Sequence, residues 1–125
     1  MISIVVVYNN EKTLNRILLE SLKDQKAEHE LILIDNTQKK YKSAAEALNF
    51  GGKKAKGKYI MFIHQDIELE DNSWLENVEA LLNKLNHLGI AGVAGMSEEG
   101  RNFEERKRGC LSDCGHLSGN PGTFN

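Results

Sequence analysis

The sequence contains no apolar run long enough to cross a bilayer. Its apolar runs, such as residues 4–7 (Ile-Val-Val-Val) and 60–63 (Ile-Met-Phe-Ile), are four residues long, whereas a membrane-spanning helix needs about 20. The first of these runs is reached without a basic leader or a cleavage-like site, the marks of a secretory signal. We therefore expect neither a transmembrane helix nor a secretory signal in these residues.

The chain also has few cysteines and no excess of positive charge. Cys110 and Cys114 are the only cysteines, too few for a disulfide scaffold and consistent with a reducing cytoplasm. The 16 basic and 18 acidic residues give a net charge of -2, whereas general nucleic-acid binders carry a strongly positive face. We expect a cytoplasmic protein with no nucleic-acid partner. Attachment to the inner face of the membrane through further sequence, and homodimers formed by exposed strand edges, stay open.

What the chain does contain is an alternation of apolar runs and amphipathic patterns. Short apolar runs are typical of strands buried on both faces, and they predict strands at residues 2–7, 31–34, 59–63 and 90–94. Between them, capping residues followed by apolar stripes predict helices from Asn9 or Asn10 to about Lys26, from Ser43 to Gly51–Gly52, and from Ser73 to Gly89. The predicted fold class is α/β, with a mostly parallel central sheet flanked by helices.

The end of the chain follows neither periodicity. From about residue 97 the sequence is polar and rich in glycine. We therefore divide the chain into an α/β core, residues 1–96, and a segment, residues 97–125, that is either a loop or the truncated start of a further region.

Polar clusters follow three of the predicted strands, at residues 8–10, 35–36 and 64–66. Parallel α/β sheets bind ligands beyond the carboxyl ends of their strands. A carboxylate at a strand exit, such as Asp35 or Asp66, can ligate a hard cation or accept hydrogen bonds from a ribose or base. Magnesium and manganese commonly take only one or two protein carboxylates. Many α/β domains, however, place acids there for solubility or as caps, so this alternative stays open.

Several segments resemble the sequence pattern of family 2 glycosyltransferases. Residues 47–51 (Ala-Leu-Asn-Phe-Gly) and 55–66 (Ala-Lys-Gly-Lys-Tyr-Ile-Met-Phe-Ile-His-Gln-Asp) resemble its Ala-x-Asn-x-Gly and Ala-x-Gly-x-Tyr-Ile elements, followed by an apolar strand and Asp-x-Asp. Residues 8–11 (Tyr-Asn-Asn-Glu) resemble its opening Val-x-Tyr-Asn element, and residues 33–36 (Leu-Ile-Asp-Asn) its Val-Asp-Asp. The resemblance implies a Rossmann-like GT-A sandwich in which residues 1–96 bind a nucleotide sugar.

The same resemblance implies roles for individual residues. Tyr8 and Asn9 would line the nucleotide pocket, Asp35 would contact the base, and Asp66 would hold Mg²⁺ or Mn²⁺ on the diphosphate. The implied reaction moves a sugar from a nucleoside-diphosphate sugar to an acceptor (glycan, lipid or protein) with inversion, and the metal stabilises the departing diphosphate. His64 replaces the first acid of the pair. Its imidazole can donate to a ribose hydroxyl, although a plain polar residue at a strand end is the alternative.

The catalytic base is unassigned. Inverting transfer needs a carboxylate that deprotonates the acceptor, and downstream of Asp66 the conceivable candidates are Asp113 and the pair Glu104–Glu105, each also explained as solvated loop charge. Without a base the chain would bind donor but not complete a transfer. A noncatalytic nucleotide-binding or assembly module is therefore the alternative function.

Three further patterns carry weaker hypotheses. Cys110, Cys114 and His116 include zinc-binding residue types, but the spacing is irregular and a fourth ligand is missing. A receiver-like domain shares the alternating pattern but clusters acids after its first strand, where this chain has Tyr8. The lysine run at residues 53–56 could assist a phosphate site, but such runs are more often solvated faces.

Overall fold

The computed structural model describes residues 1–93. The chain divides into two compact units, Met1–Glu79 and Ala80–Asn125, and the α/β layers belong to the first. The strands are β1 (Ile2–Tyr8), β2 (His29–Asp35) and β3 (Tyr59–Phe62). The first helix, α1, has three consecutive parts: Glu11–Thr13, a π-helical stretch Leu14–Leu19, and Glu20–Leu22. The next helices along the chain are α2 (Ala44–Gly52) and α3 (Trp74–Lys84). Within the described residues, none of these helices has the length and apolarity to span a bilayer.

The three strands form a parallel sheet in the order β2-β1-β3. The central strand β1 is buried from Ile2 to Val6, which explains its almost entirely apolar sequence, since a parallel strand covered on both faces meets no water. In the strand register, Ile2 of β1 lies opposite His29 of β2 and Tyr59 of β3. The predicted α/β class, with a parallel sheet flanked by helices, is confirmed.

The two faces of the sheet are covered by different helices. On one face, buried leucines of α1, Leu14, Leu18 and Leu22, join Ile4 and Val6 in a single apolar cluster. Each such side chain contributes about 1.5–3 kcal/mol when fully buried. The other face carries α2, which approaches so closely at Gly51 that a Cβ there would collide with Cγ1 of Val5 and lie 3.2 Å from Cγ1 of Ile34.

The predicted caps of the first two helices are confirmed. Asn10 Oδ1 accepts a hydrogen bond from the Thr13 N–H at 3.1 Å, and Ser43 Oγ accepts from the Glu46 N–H at 3.1 Å. The Glu46 carboxylate reaches back to the Lys42 N–H at 2.8 Å, one residue before the cap. Two otherwise unpaired donors at the start of α2 are thus satisfied.

The first helix ends earlier than its sequence pattern predicts, at Leu22 rather than near Lys26. The chain beyond it is bound to a distant segment: Gln25 Oε1 accepts from the Leu75 N–H at 3.0 Å, and the Lys26 N–H donates to the Asn72 carbonyl at 2.9 Å. Gln25 thereby supplies a partner for the first turn of α3. A tertiary contact therefore overrides the local helical preference.

The described residues of the second unit, 80–93, correct two expectations. The helix α3 ends at Lys84 and not at Gly89, and His87 follows with φ of 57°, a left-handed conformation in which His is several-fold enriched. No strand forms over residues 90–93, where Ile90 is 78% and Val93 57% exposed. An apolar run becomes a strand only where a neighbour accepts its backbone hydrogen bonds, and these residues have no such neighbour in the described part.

A polar network ties the amino-terminal edges of the strands together. The buried Ser3 Oγ donates to Glu30 Oε2 at 2.5 Å and accepts from the Gly57 N–H at 2.8 Å, while the Lys56 N–H donates to the same carboxylate oxygen at 2.9 Å. A Cβ on residue 57 would lie 2.7 Å from both the Met1 carbonyl and Ser3 Oγ. Glycine at position 57 is therefore required by close backbone approach.

Candidate functional site

The strand exits meet at the carboxyl edge of the sheet. β1 and β2 end side by side, with Tyr8 paired to Asp35 in register, and the Asn36 N–H donates to the Tyr8 carbonyl at 2.9 Å. On the other side of β1, β3 ends three residues short of this level, and the Ile63 N–H still donates to the Val5 carbonyl at 3.2 Å. Residues 64–66 therefore leave the sheet beside the end of β1.

The Asp35 carboxylate is held by two donors of Thr37. Its Oδ1 accepts from the Thr37 hydroxyl at 2.7 Å and the Thr37 N–H at 2.8 Å, and Tyr8 lies opposite Asp35 on the neighbouring strand. The hydrogen bonds from Thr37, with a smaller contribution from the neighbouring Tyr8 side chain, lower the pKa of Asp35. Partial burial, followed by the negative charges of Asp35 and Glu11, raises the pKa of Tyr8. The pair therefore presents an ionised, exposed acceptor beside a protonated phenol.

Gln65 joins the exit of β3 to the exit of β1. Its Oε1 accepts from the Asn9 N–H at 3.0 Å and the Asn10 N–H at 3.1 Å, and its Nε2 donates to Asn9 Oδ1 at 2.7 Å. One amide side chain thus satisfies two backbone donors and one side-chain acceptor. The loop that carries Asn9 and the cap of α1 is held against the His-Gln-Asp segment.

His64 and Asp66 flank Gln65, and their side chains are exposed. Within the described residues neither side chain forms a hydrogen bond or ion pair, so both are free to meet a ligand. No cluster of three or more His, Cys, Asp or Glu occurs in residues 1–93, so this edge offers no ready-made metal cage. A single free carboxylate nevertheless fits magnesium or manganese, which take their remaining ligands from phosphate and water.

The predicted site residues are thus brought to one edge, but they do not all touch. Tyr8 lies opposite Asp35 in the strand register, and Asn9 bonds to Gln65. A shallow groove of about 630 Å³ opens beside Asn10 and is otherwise lined by Lys12, Thr13, Asn15 and Arg16. This groove includes none of the predicted donor-site residues and borders them through Asn10 alone.

Two residues of this edge orient residues of the predicted site. Thr37 orients the Asp35 carboxylate, and Gln65 orients Asn9. The residue types Asp35-Asn36-Thr37 predict a turn with local hydrogen bonds, and the bonds between Thr37 and Asp35 confirm it. The role of Gln65 could not be predicted, because its partner Asn9 is 56 residues away. The candidate bases and zinc ligands, Asp113, Glu104, Glu105, Cys110, Cys114 and His116, lie outside the described residues.

Comparison with known proteins identifies the family. The sequence profile described as "Glycosyltransferase like family" matches residues 3–116, most of the chain. The chain belongs to this glycosyltransferase-like family. The matched range includes every predicted site residue of this glycosyltransferase-like protein, from Tyr8 to Asp66.

Further comparisons add one solved structure. A search of curated proteins finds no significant match. Among solved structures, the glycosyltransferase-like chain is similar to S. aureus TarS, residues 1–349, in complex with UDP-GlcNAc, at 17% sequence identity and a TM-score of 0.49. The alignment covers 91% of this chain and 47% of the TarS chain, so the chain spans about half the length of that solved chain.

Proposed function

We propose that the chain is the donor-binding half of an inverting glycosyltransferase, which transfers a sugar from a nucleoside-diphosphate sugar to an acceptor with the help of Mg²⁺ or Mn²⁺. The observation that carries this proposal is the joining of the strand exits, in which Tyr8 lies opposite Asp35 in the strand register and Gln65 bonds to Asn9. These are the exits to which the family resemblance assigns the nucleotide. A donor lying across them would meet the base contact first and the diphosphate contact last.

Each side chain has a chemical task in this arrangement. The ionised Asp35 accepts an N–H of the base, and its hydrogen bonds to Thr37 keep it from rotating away. The half-buried Tyr8 supplies an apolar wall with a polar tip. His64 is free to donate to a ribose hydroxyl. Asp66 would hold the divalent cation, which when bound stabilises the charge growing on the departing diphosphate.

A noncatalytic nucleotide-binding or assembly module is the second candidate. It is favoured by His64, which stands where the family resemblance expects the first acid of the pair. The lone Asp66 carboxylate also leaves any bound cation dependent on the nucleotide for most of its ligands. Both candidates use the same donor site and differ in whether a catalytic base is present.

Donor binding can be tested by calorimetric titration of nucleoside diphosphates, beginning with UDP, with and without Mn²⁺. We expect binding that strengthens with Mn²⁺ and loses that dependence in Asp66→Ala. Glu68→Ala is the matched control, because it removes an exposed carboxylate two residues further along. If no nucleotide bound under any condition, the donor site would be wrong. Metal dependence that survived Asp66→Ala would refute the ligand assignment alone.

Transfer itself requires a test on a longer gene product. Extending the gene downstream should add an acidic residue ahead of an acceptor-binding region, and the extended protein should release nucleoside diphosphate from the donor. The anomeric configuration of the product, measured by NMR, tests inversion. An extended protein that binds donor tightly but releases no diphosphate with any acceptor class would favour the noncatalytic module.

A further inference from the structure

Positive charge is concentrated in one stretch of this near-neutral chain. Residues 39–58 contain seven lysines and one glutamate, while the whole chain carries a net charge of -2. The stretch comprises the loop after β2, the helix α2 and the turn before β3. Its lysines are Lys39, Lys40, Lys42, Lys53, Lys54, Lys56 and Lys58. The one glutamate, Glu46, has its carboxylate engaged by the Lys42 N–H.

Some of these lysines lie over aromatic rings and not merely in solvent. Lys54 Nζ is 4.2 Å from the centroid of the Phe50 ring, and Lys40 Nζ is 5.6 Å from that of Tyr41. The rings of Tyr41 and Phe50 are themselves 5.8 Å apart. Cations and aromatic rings therefore form one continuous group on α2 and the segments next to its two ends, with Phe50 42% exposed.

Exposed apolar side chains extend this group onto β3. Ile60 is 45% and Phe62 52% exposed, and residues two apart on a strand point to the same face. A Cβ on Gly52 would lie 3.4 Å from Cζ of Phe62, so the Phe62 ring lies beside the end of α2 that also bears Phe50. Large apolar side chains exposed side by side usually mark an interaction surface.

We propose that this lysine-aromatic surface, formed by the seven lysines of residues 39–58 with Tyr41, Phe50, Ile60 and Phe62, binds the headgroup region of an anionic lipid bilayer. Lysines are attracted to the phosphates of anionic lipids, and aromatic and aliphatic side chains enter the boundary between headgroups and acyl chains. Binding of a soluble polyanion would need only the lysines. The exposed apolar side chains beside them therefore favour a lipid bilayer as the partner. The surface uses none of the donor-site residues, so it stands apart from the proposed sugar transfer.

Co-sedimentation of the whole chain with lipid vesicles tests this inference. We expect binding to vesicles in which half the lipid is phosphatidylglycerol and little binding to phosphatidylcholine alone. Because each lysine at an anionic surface contributes about fivefold to binding, Lys53→Ala with Lys54→Ala should weaken binding by about 25-fold. The matched control, Lys23→Ala with Lys26→Ala in the segment after α1, removes the same charge elsewhere and should weaken vesicle binding much less.

The apolar side chains require a separate variant. Phe50→Ser should weaken vesicle binding without changing the net charge, and circular dichroism would establish that the variant folds. The inference is overturned if anionic vesicles are not bound, or if Phe50→Ser binds them as well as the wild type. It is also overturned if heparin is bound in place of vesicles, or if the lysine variants convert a dimer to a monomer, since the surface would then serve a soluble polyanion or a second copy.

Discussion

Gln65 and Asn9 are joined by two hydrogen bonds between the exits of two strands. Gln65 Nε2 donates to Asn9 Oδ1 at 2.7 Å, and the backbone N–H of Asn9 donates to Gln65 Oε1 at 3.0 Å. Both functional groups of the Gln65 side chain are used, so the two loops have one preferred arrangement. The middle residue of the His-Gln-Asp segment therefore serves to position the loop after β1, while its neighbours are left free for ligand.

Replacing Gln65 with Ala should release this loop. The backbone N–H groups of Asn9 and Asn10 lose their acceptor, so their hydrogen exchange should accelerate. The affinity for nucleoside diphosphate should fall by about tenfold, as expected for hydrogen bonds worth about 0.5–1.5 kcal/mol each. Exchange is measured by NMR or mass spectrometry, and affinity by calorimetry. Gln38→Ala, which removes an exposed amide from another loop, is the control. Unchanged exchange at residues 9 and 10 would contradict the geometry irrespective of any ligand.

Gly57→Ala should destabilise the fold, because its Cβ would be forced against the Met1 carbonyl and Ser3 Oγ. Overpacking of this kind costs about 1–3 kcal/mol, measurable as a fall in the free energy of unfolding in urea. Gly89→Ala is the matched control, since nothing lies within 4 Å of its added methyl group. Equal stabilities for the two variants would show that the amino-terminal edge relaxes freely around residue 57.

Glu30 should make the free energy of unfolding depend on pH. The Ser3 hydroxyl, followed by the Lys56 N–H, lowers the pKa of Glu30 in the folded chain, so the unfolded chain binds the proton more readily. Glu30 therefore stabilises the fold above its unfolded pKa, and this contribution is lost as the pH falls through the lowered folded pKa. Glu30→Gln should be less stable than the wild type at pH 7, and the gap should narrow in acid.

The pH dependence is measured by urea unfolding at a series of pH values. Glu28→Gln is the control, because Glu28 is exposed and its side chain forms no hydrogen bond in the described part of the chain. If the difference in unfolding free energy between Glu30→Gln and the wild type stayed constant as the pH was lowered, the charge of the Glu30 carboxylate would not contribute to stability.

Asp35→Asn separates charge from geometry in the base contact. The amide oxygen can still accept from Thr37, so the turn should persist, but the charged acceptor is lost. Hydrogen bonds to charged groups are worth about 1.5–3 kcal/mol, so nucleotide affinity should fall by at least about tenfold. The unfolding midpoint at pH 7 should also fall, because the lowered pKa of Asp35 means that its charge stabilises the fold. Calorimetry and thermal unfolding check the two quantities. A variant with full nucleotide affinity would remove Asp35 from the base contact.

Local features of the fold were predictable from the sequence. The Asn10 and Ser43 caps depend on hydrogen bonds that span three residues, and the apolar run of β1 indicates burial irrespective of what covers it. The ends of α1 and α3 were less predictable. Leu22 ends α1 because Gln25 and Lys26 bond to residues 72–75, and no local pattern encodes that choice.

The sequence by itself determined that this chain is an α/β protein with polar clusters after its strands, and its motifs resemble those of glycosyltransferases. Only the tertiary structure decided which clusters touch. The order β2-β1-β3 places Tyr8 beside Asp35 and brings Gln65 to Asn9, contacts that depend on strand pairing and not on spacing along the chain. The physical reason is that periodicity and caps report on neighbours within a few residues, whereas a binding edge is assembled from segments tens of residues apart.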